Sequence, residues 1–440
     1  MTPDSSTHPD ATVRRTLLGA ACLSLQPLAL NALSVPAMAY IIHRLGPEGY
    51  AQWMAAVTLL AFLAVLTNLG LRAAFIRTLA ADPSTAPRAL AEQLGLRLTL
   101  STLAGTIAVL ACSLLGYSAS VAWCATIGAA GLALTAVATT LGDLLQSSYR
   151  NKTLAAVNLA AGLTLTAASV IAAWLDAGPI AMALAYLTGP TLSALLLLLI
   201  VNHRICRVSI RWAPARFKLL LTESRFFAAQ QLLFAGSAQA EALLSPRIIG
   251  MHAFGLFAAG AMLGNRLVAL PDALCAAAYP VMVQACGRSI RAGARVMSRF
   301  LMLAVLGGIA VAVTGMFVAA PLGRLLLPDQ PDLFAFVVRI TIWSVPLISA
   351  ELVMGYALNA AGRDAVQAKL AVPAAAISLA GSVALVLLFG LEGACWSMLF
   401  RPAVRAAFLA PVTLKTYRSS RDGRGDESAA SHLHPLKKAA

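Results

Sequence analysis

The chain has 440 residues, of which 59% are hydrophobic and only 12% are charged, and its mean hydropathy is +0.79. Soluble domains carry about 25% charged residues, so this composition excludes a water-soluble globular protein. A formal net charge of +15 would indicate nucleic-acid binding in a soluble protein, but here the basic residues lie between apolar runs, where they orient a membrane protein. No nucleic-acid partner is therefore expected.

Apolar runs long enough to cross a hydrocarbon core recur along nearly the whole chain. They predict an all-α polytopic membrane protein with about twelve transmembrane helices, give or take two. In the first half the predicted spans are 16–42, 51–71, 95–117, 120–141, 153–175 and 178–201. In the second half they are 226–244, 253–282, 300–320, 334–358, 370–389 and 391–413. The first run follows Arg14 and Arg15, as a secretory signal does, but it is too long for a signal core and is expected to be retained.

Basic residues alternate with the predicted spans. With the N-terminus placed in the cytoplasm, 25 lysines and arginines fall in cytoplasmic segments and only 3 fall in outer loops. The cytoplasmic group includes Arg72 and Arg97. Because cytoplasmic loops carry an excess of Lys and Arg, this alternation predicts that both termini lie in the cytoplasm.

The two halves of the chain share a turn sequence. L-G-P-E-G-Y-A-Q-W, which starts at Leu45, aligns at a shift of 204 residues with I-G-M-H-A-F-G-L-F, which starts at Ile249. The superposed residues are Gly46 with Gly250, Tyr50 with Phe254 and Trp53 with Phe257. Six helices per repeat predict two parallel lobes related by a pseudo-two-fold axis along the membrane normal, with a substrate path between them.

The predicted organisation has four parts. An N-terminal six-helix lobe covers 1–201, a cytoplasmic basic linker 202–218, a C-terminal six-helix lobe 219–414, and a disordered cytoplasmic tail 415–440.

Enzyme motifs are absent from the sequence, and the predicted outer loops are short. A membrane polymerase or ligase needs a substantial extramembrane segment to build its site, so the sequence argues against an enzyme. No cofactor and no metal site are expected. Since no ATP-binding motif is present, energy would come from an ion gradient, the membrane potential or downhill flow of substrate.

Charged side chains inside the apolar spans indicate a functional site, because a charge in the bilayer is costly unless it faces a cavity. The basic residues of this kind are Arg225, Arg266, Arg339, Arg401 and Arg405. Guanidinium groups bind phosphate oxygens bidentately, so these arginines predict a cationic cavity for a phosphate or pyrophosphate group. Arg266, near the middle of its span, and Arg401, which shares a helix face with Arg405, are the leading candidates. Alternatively, Arg225, Arg339 and Arg405 reach an interface or pair with a carboxylate.

The remaining candidates are acidic or polar. Glu241, Glu351 and Asp272 are predicted to be counter-ions of the arginines, with ion coupling as the alternative role. Gln26, Asn31 and Asn68 are expected to line the cavity in the first half, where Asp143 lies near a cytoplasmic helix end. Prolines 27, 36, 271 and 280 are expected to break or bend the first and eighth spans.

The stretch R-L-G-P-E-G-Y-A-Q-W-M-A-A-V-T-L-L-A-F-L-A-V-L-T-N-L-G-L from Arg44 resembles the O-antigen (Wzx-like) polysaccharide-unit flippases of the multidrug/oligosaccharidyl-lipid/polysaccharide (MOP) exporter superfamily. Segments starting at Ala240 and Leu322 resemble the same family. The resemblance implies flipping, by alternating access, of an undecaprenyl-pyrophosphate-linked oligosaccharide across the bacterial inner membrane, for lipopolysaccharide or exopolysaccharide synthesis. The implied partners are this lipid-linked oligosaccharide, membrane lipid, H⁺ or Na⁺ as a coupling ion, and a glycan polymerase.

Other functions stay open at this point. One is a cation-coupled multidrug exporter of the same superfamily, for which an embedded acidic residue would be expected in the first three spans, and none is found there. A polymerase or ligase of the glycan pathway and a non-transporting scaffold are the others. The embedded excess of arginine favours an anionic substrate.

Overall fold

The structure is a computed structural model of the whole chain. It describes residues 9–418 except 69–70, 73–74, 76–78, 80–82, 149, 215–216, 220–221, 223–231, 233–242 and 244. This part of the chain is helical and contains no strand. The helices are α1 (Pro9–Asn68), a 3₁₀ turn (Pro83–Thr85), α2 (Ala86–Leu114), α3 (Ala119–Ser147), α4 (Asn151–Trp174), α5 (Gly178–Arg204), α6 (Met251–Leu267), α7 (Ala269–Arg288), α8 (Ile290–Leu326), α9 (Pro331–Thr341), α10 (Ser344–Ala360) and α11 (Asp364–Arg418).

Two compact units make up the chain. The first comprises 1–235 and 249–258, and the second comprises 236–248 and 259–440. The lobe and linker boundaries expected from the sequence stay predictions. Helix α11 continues to Arg418, and the rest of the predicted tail, 419–440, lies outside the described residues.

The first and last helices are too long to cross a membrane once. Helix α1 has 60 residues and α11 has 55, which correspond to roughly 90 and 80 Å at 1.5 Å per residue. Each is interrupted by one non-helical glycine, Gly46 (φ 67°, ψ 174°) and Gly390 (φ 58°, ψ −126°). The interruptions fall between predicted spans, so α1 and α11 each contain two helices.

Eight helical segments of the described chain are long and apolar enough to cross a membrane. They include α2 to α5, α8, and the combined stretch of α9 and α10. The protein is therefore a multi-pass membrane protein. The count of twelve stays a prediction, because most of the seventh expected span, 226–244, lies outside the described residues.

Two predicted single spans are each divided into two helices. The span 253–282 consists of α6 and α7, which meet at Val268, and the span 334–358 consists of α9 and α10, which meet at 342–343. Proline removes one helical N–H and its ring clashes with the carbonyl four residues earlier. Pro271 stands four residues after Leu267, the last residue of α6, and Pro346 stands four residues after Ile342, which follows the last residue of α9. In α1, by contrast, the helix continues through Pro27 and Pro36.

The repeated turn has the same conformation in both halves. Gly46 and Gly250 have φ of 67° and 83°, a region that glycine adopts without a steric penalty. Each glycine is followed by two buried aromatic residues in contact. The pairs are Tyr50 with Trp53 at 5.8 Å between ring centroids and Phe254 with Phe257 at 6.4 Å. The internal repeat is therefore visible at this turn in the structure as well as in the sequence.

Small residues allow the helices of the first unit to approach closely. A Cβ placed on Gly105 of α2 would lie 2.8 Å from the Cβ of Ala129 on α3. A Cβ on Gly189 of α5 would lie 3.2 Å from the carbonyl oxygen of Ala161 on α4. Small residues at such crossings are typical of membrane helices, which associate by close packing. The resulting bundle holds the polar groups described next.

Candidate functional site

A buried carboxylate in the first unit lies between two arginines. Asp143 is on the last turns of α3, and its Oδ2 accepts a hydrogen bond of 2.9 Å from Nη2 of Arg97 on α2. The other oxygen, Oδ1, lies 3.3 Å from Nε of Arg72. The side chain of Arg97 is 1% exposed and that of Asp143 is 9% exposed. We call Arg72, Arg97 and Asp143 the Asp143 cluster; it carries two positive charges and one negative charge.

Neutral groups accept further hydrogen bonds from the two arginines of the Asp143 cluster, although Nε of Arg97 has no hydrogen-bond partner among the described residues. Nη1 of Arg97 donates to the hydroxyls of Thr140 (3.1 Å) and Thr139 (3.3 Å), both on α3. Nη2 of Arg72 donates to Oε1 of Gln146, one turn after Asp143. Both arginines are thus fixed to α3, which sets the position of the excess positive charge.

A cavity of about 590 Å³ opens beside this cluster, within the first unit. Arg72 and Asp143 are the charged residues that line it, and the side chain of Arg72 is 54% exposed. The walls come from α3, α4 and α5, and their polar lining residues are Thr135, Thr139, Gln146, Asn158 and Ser193. A cavity of this size with a few convergent polar groups is typical of a ligand site. The net positive charge of the adjoining Asp143 cluster, with Arg72 on the cavity wall, favours an anionic ligand.

The second unit contains a corresponding group of charges. Nη1 of Arg405 on α11 donates to Oε1 of Glu351 on α10 at 3.2 Å. The side chains are 10% and 17% exposed. Arg401, one turn before Arg405, is close enough for its charge to act on Glu351. We call these residues the Glu351 cluster; it too contains two guanidinium groups and one carboxylate.

Three other predicted site residues lie on helices that do not form these clusters. Arg266 is partly buried in the last turn of α6, next to the break at Val268 between α6 and α7. Arg339 is exposed on α9. Asp272 is exposed on α7 and accepts a hydrogen bond of 3.3 Å from the hydroxyl of Tyr356.

The remaining predicted residues lie in α1 or outside the described part of the chain. Gln26 and Asn31 are partly buried in α1, and Asn68 is exposed at its end. Arg225 and Glu241 lie outside the described residues. Across the described ranges, no group of three His, Cys, Asp or Glu side chains could hold a metal ion.

Sequence reasoning missed the Asp143 cluster. Arg97 lies inside the predicted third span, 95–117, but was counted with the cytoplasmic basic residues, and the structure shows it fully buried within α2. The predicted span began at 95 and so excluded Glu92, a buried residue paired with Arg88 at 3.0 Å. A signal for the cluster was present: Asp143 lies at the end of an apolar run, and a buried carboxylate needs a cationic partner.

Comparison with known proteins agrees with this architecture. Residues 18–286 match a family described as polysaccharide biosynthesis protein. No curated protein sequence matches the chain. The fold is similar to that of an inward-facing multidrug resistance MATE family transporter of the MOP superfamily, with a TM-score of 0.67, 14% identity, and coverage of 91% of this chain and 100% of that one.

Two further transporters share the fold. The outward-facing conformation of a multidrug resistance MATE transporter matches with a TM-score of 0.59 and 15% identity, covering 92% of this chain and 96% of that one. A MOP superfamily transporter from Pyrococcus furiosus, described as having a binding pocket of reversed polarity that suggests a different function, matches with a TM-score of 0.60, 15% identity and the same two coverages. The similar structures are transporters, not enzymes. The chain belongs to the polysaccharide biosynthesis protein family and has the fold of the MOP-superfamily transporters.

Proposed function

We propose that this protein is a flippase that moves an undecaprenyl-pyrophosphate-linked oligosaccharide from the cytoplasmic to the periplasmic leaflet of a bacterial inner membrane, by alternating access, for surface polysaccharide synthesis. Both termini would lie in the cytoplasm. The observation that carries the proposal is the Asp143 cluster, with its excess positive charge beside a mainly apolar cavity that has a few polar lining residues.

The pairing of the buried carboxylates with arginines indicates that the substrate is an anion. Asp143 is held by Arg72 and Arg97, and Glu92 is held by Arg88. Neither buried carboxylate is therefore free to bind a cationic drug. Arg72, in contrast, combines its ion pair with an exposed position on the cavity wall, so it can also contact an anion. Guanidinium groups are suited to phosphate because their N–H groups match its oxygens in pairs.

Membership of the polysaccharide biosynthesis family supports a lipid-linked sugar as the substrate. A protein of polysaccharide biosynthesis with a transporter fold needs a substrate that is both a sugar intermediate and membrane-bound. A lipid-linked oligosaccharide meets both conditions, and its pyrophosphate supplies the anion. A multidrug exporter would share the fold but would not need an excess of arginine in both units.

The experiment is complementation of a strain that lacks its own glycan flippase. We compare wild type with Arg72→Gln and Arg401→Gln at matched expression. Each change removes one arginine and leaves the ion pair Arg97–Asp143 or Arg405–Glu351 in place. The matched controls are Lys152→Gln and Lys369→Gln, which remove exposed charges outside both clusters.

Wild type and the lysine controls are expected to restore surface polymer on a panel of glycan backgrounds. The arginine variants should lower it about ten-fold or more, the effect of one lost hydrogen bond to a charged group. Failure of wild type on every background would contradict the function. Arginine variants equal to wild type would contradict the site.

A further inference from the structure

A second cavity, of about 730 Å³, lies in the second unit between α8, α9, α10 and α11. We call it the Arg339 groove. Its walls are apolar and partly aromatic, with Ile309, Phe336, Trp343 and Trp396 among the lining residues. Arg339 is the one charged residue that lines it, and neither cluster contributes to it. Part of the wall faces outward, since Ile309 and Trp396 are exposed.

The groove follows from the break between α9 and α10. A Cβ on Gly308 would lie 2.7 Å from Cα of Pro346, and one on Gly315 would lie 2.2 Å from Cδ1 of Ile342. Helix α8 therefore touches the break along its glycine face. Val305, Ile309 and Met316 occupy the adjacent face of α8, and with Trp343 and Leu347 they form the walls of the groove beside that contact.

Arg339 is placed to meet an anion. It lies eight residues after Pro331, about 12 Å along α9, and it is exposed. It has no hydrogen bond or ion pair with any residue in the described part of the chain. A guanidinium group on an apolar span is unfavourable unless an anion or water satisfies it. The groove wall offers no protein anion, so a ligand that joins an anionic group to an apolar part would complement both Arg339 and the wall.

We propose that the Arg339 groove binds the carrier lipid of the transported glycan, with the phosphate on Arg339 and the first isoprenoid units along the apolar wall. The inference rests on the proposed function for the identity of the lipid. One cation beside one continuous apolar wall suits a single chain attached to a phosphate.

The test is a binding titration on the purified full-length protein in nanodiscs of neutral phospholipid. The probes are a polyprenyl monophosphate, the corresponding uncharged polyprenol, and phosphatidylglycerol. The variants are Arg339→Gln and Ile309→Trp, which fills the groove from an exposed position. The control is Arg324→Gln, which removes an exposed charge in the last turn of α8, outside the groove.

Wild type and Arg324→Gln should bind polyprenyl monophosphate with equal affinity. Arg339→Gln should weaken this binding about ten-fold, to the affinity of wild type for polyprenol. Ile309→Trp should weaken the binding of both polyprenyl probes. If Arg339→Gln bound polyprenyl monophosphate as tightly as wild type does, the proposed contact between Arg339 and the phosphate would be overturned. Phosphatidylglycerol that binds as tightly, with the same dependence on Arg339, would show an ordinary phospholipid site and overturn the proposal.

The experiments can contradict the flippase proposal and the groove proposal independently of each other. This binding assay requires no transport, so its result does not depend on complementation. Normal complementation without groove binding would overturn the groove alone. Groove binding by a protein that complements no glycan background would overturn the flippase and leave a lipid-binding membrane protein.

Discussion

The two units balance charge in the same way but with different helices. In each, the charges of two arginines act on one carboxylate. Asp143 lies two residues after the fourth predicted span of the first half, 120–141, and Glu351 lies within the fourth predicted span of the second half, 334–358. The ion-paired arginines differ, since Arg97 comes from the third span of its half and Arg405 from the sixth. The common position of the acid and the different origin of its partners indicate that an excess positive charge matters more than any one pairing geometry.

The clusters also differ in burial. Arg97 is 1% exposed, whereas Arg405 is 10% exposed and Glu351 is 17% exposed. Three hydrogen-bond acceptors on α3 fix the Arg97 guanidinium group. The first cluster should therefore contribute more to stability than the second.

The largest effect is expected for Asp143→Ala. The change leaves Arg97 buried without its counter-ion, which destabilises proteins by about 3–5 kcal/mol. Denaturant unfolding of the purified protein in a fixed detergent measures it. The control is Asp176→Ala, which breaks the exposed pair with Arg44 (2.5 Å) and should cost about 0–1 kcal/mol. Equal losses in the two variants would contradict the difference in burial.

A smaller effect is expected for Glu351→Ala. Arg405 loses its carboxylate but retains more access to solvent than Arg97 has, so the loss should be about 1–3 kcal/mol. The same unfolding measurement applies, with the exposed Glu392→Ala as control. A loss larger than that of Asp143→Ala would reverse the proposed order of the clusters.

The repeated turn should show equal effects in both halves. Gly46→Ala and Gly250→Ala place a side chain at positive φ, which costs about 1–2 kcal/mol per residue. No neighbouring atom lies within 4 Å of either added Cβ, so the cost is that of the backbone alone. Gly307→Ala, also with open space around its Cβ but within α8, should be neutral or slightly stabilising. Unequal losses at Gly46 and Gly250 would indicate that the two turns are not structurally equivalent.

The repeated glycine turn was easier to predict from the sequence than the positions of the buried charged side chains. Gly46 and Gly250 stand out in the sequence because a repeated glycine before an aromatic pair is a local signal. The α9–α10 break was missed because apolar residues continue across Trp343 and hide the effect of Pro346. The burial of Arg97 was missed because the distribution of basic residues reflects position along the chain, not burial. The pairing of Arg97 with Asp143 joins residues 46 positions apart, and only the packing of α2 on α3 brings them together.

The central claim is that the excess positive charge recognises the phosphate of a lipid-linked glycan. Its most direct test is translocation of a short-chain pyrophosphate-linked oligosaccharide into proteoliposomes, with empty liposomes as background. We predict uptake by wild type, an Arg72→Gln rate about ten-fold lower, and a rate for Lys152→Gln equal to that of wild type. Uptake by Arg72→Gln at the wild-type rate, or equal uptake of an analogue that lacks the phosphates, would contradict the account.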